Sequence, residues 1–164
     1  MTQTHATSFR LARRALLCAG GSLLLATHLP ALSQGPLLEV WKDPDCGCCK
    51  DWVSHLEANG FQVKVNDTGN GAMRKRLGVA DQYGSCHTAL VGGYAIEGHV
   101  PAREIARLLK ERPSAIGLAV PGMPVGSPGM DGKIYGDRKD PFDVMLLTQG
   151  GGARVYQRYP GKAA

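Results

Sequence analysis

Three cysteines within four positions, Cys46, Cys48 and Cys49 in the run Asp45-Cys46-Gly47-Cys48-Cys49, and a fourth at Cys86 hold the reactive chemistry of this chain. A structural disulfide framework spreads its cysteines to close long loops, so this crowding describes a site. Cys46 and Cys49 have the Cys-x-x-Cys spacing, and Cys48 is an extra thiol between them. At a helix N-terminus, unpaired N–H groups and the helix dipole favour thiolate, the form that attacks disulfides and binds metals. Asp45 disfavours a further negative charge beside the thiols, and a bound cation removes that penalty. The third thiol also counts against simple disulfide exchange, because it offers competing bridges.

Thiolate clusters select soft metals: Cu(I), zinc or iron–sulfur. Four-thiolate iron–sulfur clusters follow other spacings, and structural zinc usually draws two separated cysteine pairs. Three packed donors, one distant donor and thioethers downstream point to Cu(I), with bridging sulfurs able to hold more than one ion. His99 precedes Val100-Pro101 at an expected helix start, where positive potential favours the neutral imidazole that binds metal. Met123 and Met130 close Pro121-Gly122-Met123 and Pro128-Gly129-Met130, a repeat at a spacing of seven, and are candidate thioether donors. His87, beside Cys86, is a weaker candidate whose side chain can point away. His55 is expected to face solvent, and Met73 and Met145 are read as core.

The elements that must position these residues follow from pattern. Residues 37–41 read as a short buried strand, and Asp45 is expected to cap a helix from about 48 to 59 that buries Trp52, Val53 and Leu56. Asn59-Gly60 ends that helix. A strand over 61–65, a short basic helix over 69–77 and a strand over 88–91 follow. Gly92-Gly93 makes a two-residue hairpin turn into a strand over 94–98. Pro101 opens a helix that buries Ile105, Leu108 and Leu109 and stops at Pro113. This order, with Cys-x-x-Cys at the start of the first helix, is that of a thioredoxin-like α/β domain: a central mixed sheet with flanking helices. Such domains carry a cis-proline facing the cysteines just before the third strand. Ser85-Cys86-His87-Thr88 has no proline, so Cys86 is expected to take that place and bring four sulfurs together. Residues 34–113 are assigned to this core. Residues 114–164 are read as a loop-rich C-terminal extension packed on it and closing with a β-hairpin around Gly150-Gly151-Gly152.

The compartment follows from residues 1–33. Arg13-Arg14 precede an apolar stretch, and Pro30-Ala31-Leu32-Ser33 suits signal cleavage near Ser33. The adjacent arginines are compatible with twin-arginine export as well as with the general route. The apolar stretch is too short and interrupted to anchor the chain, since a span needs about 20 apolar residues. Cys18 falls inside it and is expected to be removed. The formal charge of +5 owes three of its 19 basic residues to this leader, leaving 16 basic against 14 acidic. A nucleic-acid footprint needs a basic patch, and Arg74-Lys75-Arg76 is the one dense cluster, so nucleic acid is set aside. A periplasmic location in an oxidising compartment is expected, without stable membrane insertion after processing.

These segments resemble the CopG-type family of exported bacterial proteins found with copper-resistance genes. The resemblance rests on Asp45-Cys46-Gly47-Cys48-Cys49, Gly84-Ser85-Cys86-His87-Thr88-Ala89, Glu97-Gly98-His99-Val100-Pro101, Val120-Pro121-Gly122-Met123-Pro124 and Gly126-Ser127-Pro128-Gly129-Met130. It implies a thioredoxin-like fold, a periplasmic location and copper binding through the cysteines. The expected function is copper tolerance, with Cu(I) held by Cys46, Cys48, Cys49 and Cys86, and with other copper-handling proteins as partners. A copper redox role is compatible with it. The alternative is a metal-free thiol–disulfide oxidoreductase in which Cys46 attacks and Cys49 resolves.

Overall fold

The computed structural model describes residues 35–162. The expected export signal, with Arg13-Arg14 and Cys18, lies outside the described residues. Seven strands and three helices follow in the order β1 (Leu37–Lys42), α1 (Gly47–Ala58), β2 (Gln62–Asn66), α2 (Gly71–Arg76), β3 (His87–Val91), β4 (Tyr94–Glu97), α3 (Ala102–Glu111), β5 (Gly117–Ala119), β6 (Phe142–Leu147) and β7 (Ala153–Tyr159). All seven strands join one mixed sheet in the order β2-β1-β3-β4-β5-β6-β7. The pairs β1–β2 and β4–β5 are parallel, and the others are antiparallel. The class is α/β with a mixed sheet, as the pattern of elements predicts.

Each boundary has a local cause. Gly60, at φ +85°, turns the chain out of α1, and Gly92 and Gly93, at φ +55° and +88°, make the tight turn between β3 and β4. The expected cap at Asp45 is not formed. Cys46 is the residue before α1 and makes no side-chain cap. The acceptor is instead Asp43, whose Oδ1 receives the Asp45 N–H at 2.9 Å while its carbonyl receives the Cys46 N–H at 3.1 Å. Pro101 likewise stands one place before α3, as its N-cap. The sequence pattern does not disclose the three-residue β5, because a run this short, opening on glycine, carries no period to read. It is fully buried beside β4 and links the C-terminal hairpin β6–β7 to the sheet.

The core lies where α1 and α3 cover the sheet. Trp52 and Leu56 of α1 meet Leu38, Val40 and Ile96 of the strands and Ile105 and Leu108 of α3, all buried. Val53, Leu109, Met73 and Met145 are half-buried, so both methionines sit at the margin and not inside. Among the described residues no helix is long and apolar enough to cross a membrane.

Two side chains of α1 reach across to the segment that enters α3. Trp52 Nε1 donates to the Val100 carbonyl at 2.9 Å. His55, expected to face solvent, is half-buried, and its Nε2 accepts the Ala102 N–H at 3.1 Å, satisfying a free donor of α3. This bond needs the neutral ring. Burial holds the His55 pKa below its ordinary value, against the opposing charge of Asp131. The folded value thus lies below the unfolded one, about 6.5. The bond contributes fully above that pH and is lost as the pH falls through the folded value. Thermal midpoints from pH 7 downwards are expected to fall more steeply for the wild type than for His55→Gln. Parallel curves would show that the bond contributes nothing.

Candidate metal centre

The chain brings its thiols together from two directions. The first turn of α1 presents Cys48 and Cys49 just after Cys46, and the segment entering β3 presents Cys86. The sulfurs of Cys46, Cys48, Cys49 and Cys86 all lie within 4.8 Å of one another. Cys46 and Cys49 are joined in a disulfide, and Cys48 and Cys86 are free thiols. Cys48 Sγ stands 3.5 Å from Cys46 Sγ and 3.9 Å from Met123 Sδ. Cys49 is buried, while Cys46 and Cys48 are half-buried and Met123 is exposed.

On the inner side Cys86 Sγ faces two imidazoles. His99 Nε2 is 3.1 Å away and His87 Nδ1 is 3.4 Å away. His99 Nδ1 is 2.7 Å from the Pro128 carbonyl. A carbonyl only accepts, so Nδ1 carries the proton and the lone pair of Nε2 points at the Cys86 sulfur. Burial pushes the Cys86 thiol up to about 12, reinforced by the neighbouring Cys48 and partly offset by Ser85. Cys86 is thus a thiol that donates to His99 Nε2. A soft cation placed between these atoms would displace that proton and reverse the preference. Burial also lowers the pKa of His99, with Pro128 and Asp131 opposing.

His87 does not point away. It is fully buried, its ring lies 4.1 Å from that of Trp52 and 5.1 Å from that of His99, and burial takes its pKa down to about 3. It therefore remains neutral, and with Cys86 and His99 it forms a second group able to hold a metal.

The two Pro-Gly-Met segments serve different purposes. In the first, the Ser85 hydroxyl donates to the Gly122 carbonyl, and Gly122 N–H donates to Gly84, which sets Met123 beside Cys48. In the second, Pro128 orients His99, while Met130 Sδ accepts from the Tyr135 hydroxyl at 3.4 Å. Gly129 lies against α1 at φ +84°, where a Cβ would stand 2.5 Å from the Cys48 carbonyl, 2.9 Å from Trp52 N and 3.3 Å from His99 Nδ1. The structure thus joins Met123 to the four cysteines and His99, and sets the Met130 sulfur against Tyr135.

Residues outside the expected set hold the Cys86 segment. Glu97, buried on β4, accepts from Ser85 N–H at 2.7 Å, Arg74 Nε at 3.0 Å and the Thr88 hydroxyl at 2.6 Å. Burial raises its pKa, and these donors pull it back. Arg74 also donates to the Ser85 carbonyl at 2.7 Å. Lys42, buried at the end of β1 opposite His87, reaches Asp67 at 2.6 Å and the Asp43 carbonyl at 2.9 Å, steadying the turn before Cys46. For Glu97 and Lys42 the available signal is a charged residue within a largely apolar strand, and Arg74, on α2, carries none.

Residues 83–130 match the family model described as a protein of unknown function, DUF411. No curated protein matches the chain. Form 2 of a copper resistance protein CopG is similar over 77% of this chain and 99% of the other, at 50% identity and a TM-score of 0.71. Form 1 is similar over 76% and 98%, at 51% identity and a TM-score of 0.70. The chain belongs to the CopG family of copper-resistance proteins.

Proposed function

We propose that this is an exported, periplasmic copper-binding protein of thioredoxin-like build that serves copper tolerance, with copper as its cargo. The observation that carries the reading is the convergence of four cysteine sulfurs within 4.8 Å, with His99 Nε2 aimed at one of them and Met123 Sδ beside another. Soft sulfur donors and neutral imidazole favour Cu(I) over harder cations. Cys46, Cys48, Cys49 and Cys86 would hold it when reduced, His99 and Met123 would complete the set, and Met130 would act through the turn it closes. The order of the first seven elements, with Cys-x-x-Cys at the entry to α1, supports a thioredoxin-like core over residues 34–113. Residues 114–164 then form an extension that supplies Met123 and the Pro128 carbonyl. A copper redox role would use the same sulfurs.

The test is an anaerobic Cu(I) titration of the reduced protein against a chromogenic chelator, repeated with Cys86→Ser. Tight uptake by the wild type is expected, weakened more than about 100-fold in the variant, beyond the roughly 10- to 100-fold of outer-shell changes. Uptake of zinc alone, or of nothing, would reject the reading.

One observation favours a second reading, a metal-free thiol–disulfide oxidoreductase: the Cys46–Cys49 disulfide at a helix entry, with Cys46 the more accessible sulfur. That reading requires Cys48→Ser and Cys86→Ser variants to retain full insulin-reducing activity.

A further inference from the structure

The disulfide and the metal site use the same atoms. While Cys46 and Cys49 are bonded to each other, neither can serve as a bridging thiolate. The donors left are Cys48 and Cys86, His99 Nε2, His87 Nδ1 and Met123 Sδ. Two thiolates offer fewer bridges between ions than four, so the oxidised site would hold less Cu(I) than the reduced one. Resting on the copper reading, we propose that the Cys46–Cys49 disulfide is a reductive lock on the site, opened by a dithiol protein that attacks Cys46.

The choice of sulfur follows from access. Cys49 is fully buried, with its sulfur 3.8 Å from the Cys86 carbonyl and Trp52 buried one turn further along α1. Cys46 is half-buried between the exposed Asp45 and Gly47. An incoming thiolate therefore reaches Cys46. The departing sulfur, Cys49, is the third residue of α1, where free N–H groups and the helix dipole stabilise a leaving thiolate. The internal thiols cannot replace the partner. Cys48, 3.5 Å from Cys46, can only move the disulfide to a new pair, and Cys86 is engaged with His99.

The step balances as follows. The partner's first thiolate forms an S–S bond to Cys46, the Cys46–Cys49 bond breaks, and Cys49 leaves as thiolate. The partner's second thiol attacks its own sulfur in the mixed disulfide and releases Cys46. The dithiol loses two electrons and becomes a disulfide, and Cys46 and Cys49 gain them. The two protons go to these thiols or to solvent until a metal takes the sulfurs.

The experiment compares the oxidised wild-type protein with the same protein after dithiothreitol and anaerobic desalting. Alkylation and mass measurement count the thiols, circular dichroism confirms that both states are folded, and Cu(I) is titrated into each. Reduction is expected to add two alkylatable thiols and to raise the copper held per chain about twofold or more. Equal stoichiometry in the two states would overturn the lock and leave the copper reading standing. No copper in either state would overturn both. A second arm mixes the oxidised protein with a thioredoxin-type dithiol protein whose resolving cysteine is serine, or with glutathione, and maps the mixed disulfide by tandem mass spectrometry. Trapping of the dithiol protein on Cys46 is expected. An adduct on Cys49, or opening by glutathione at the same rate, would overturn the assignment.

Discussion

Replacing Glu97 by alanine is expected to loosen the segment that carries Cys86 and to cost about 3 kcal/mol of stability. Glu97 is fully buried and accepts from a backbone N–H, a hydroxyl and a guanidinium. Its removal leaves the Ser85 N–H, the Thr88 hydroxyl and Arg74 Nε without their acceptor, while the Arg74 guanidinium keeps only the Ser85 carbonyl. Arg74 is 20% exposed and can partly rehydrate, which places the effect at the low end for a broken buried pair. Glu97→Gln keeps one acceptor oxygen and the side-chain volume, and should lose less. Urea midpoints measure the stability. The alkylation rate of Cys86 is a second readout, expected to rise in Glu97→Ala as its pairing with His99 loosens. A wild-type midpoint together with an unchanged Cys86 rate would show that the buried carboxylate does not position this segment.

The reagents of the site were legible in the sequence because their chemistry is tied to residue type. Cysteines crowded at Cys46, Cys48 and Cys49 admit few uses. Placing Cys86 opposite them required only the element order and the absence of a proline before β3. The strands and helices around them were equally legible where hydrophobic period and glycine turns agreed, as in β1, α1 and the β3–β4 turn. What the sequence did not disclose depends on contacts between distant segments. His55 has no local signal that it reaches Ala102, which lies on another helix. His87, a weaker candidate whose side chain can point away from Cys86, gives no local signal of its direction until its ring is seen packed against Trp52. Arg74 belongs to the dense basic run Arg74-Lys75-Arg76, and nothing in that run signals that its guanidinium turns inward to Glu97. The second Pro-Gly-Met was read for its sulfur, and its contribution to the cysteine and histidine cluster is the Pro128 carbonyl. A backbone carbonyl leaves no trace in residue type.

That last point carries the second large prediction: Gly129→Ala is expected to destabilise the protein by about 3 kcal/mol, combining backbone strain with overpacking. The position is held at φ +84°, where an L side chain is strained, and the added Cβ meets the Cys48 carbonyl at 2.5 Å and Trp52 N at 2.9 Å. Both neighbours are backbone atoms of α1, so neither can rotate aside as a side chain would. The loop must back away from the helix, and Pro128 moves with it. His99 then loses the acceptor that fixes its tautomer, so Cu(I) affinity should fall about 10-fold, as when the partner of a ligating histidine is removed. Gly132→Ala is the control from the same loop, since its Cβ meets nothing within 4 Å and its φ of −67° suits any residue. Its urea midpoint and copper affinity should match those of the wild type. Equal behaviour of the two variants would mean that the loop does not bear on α1 closely enough to hold His99. A Gly129→Ala protein that is destabilised but binds copper normally would separate the packing role of this glycine from the orientation of the imidazole.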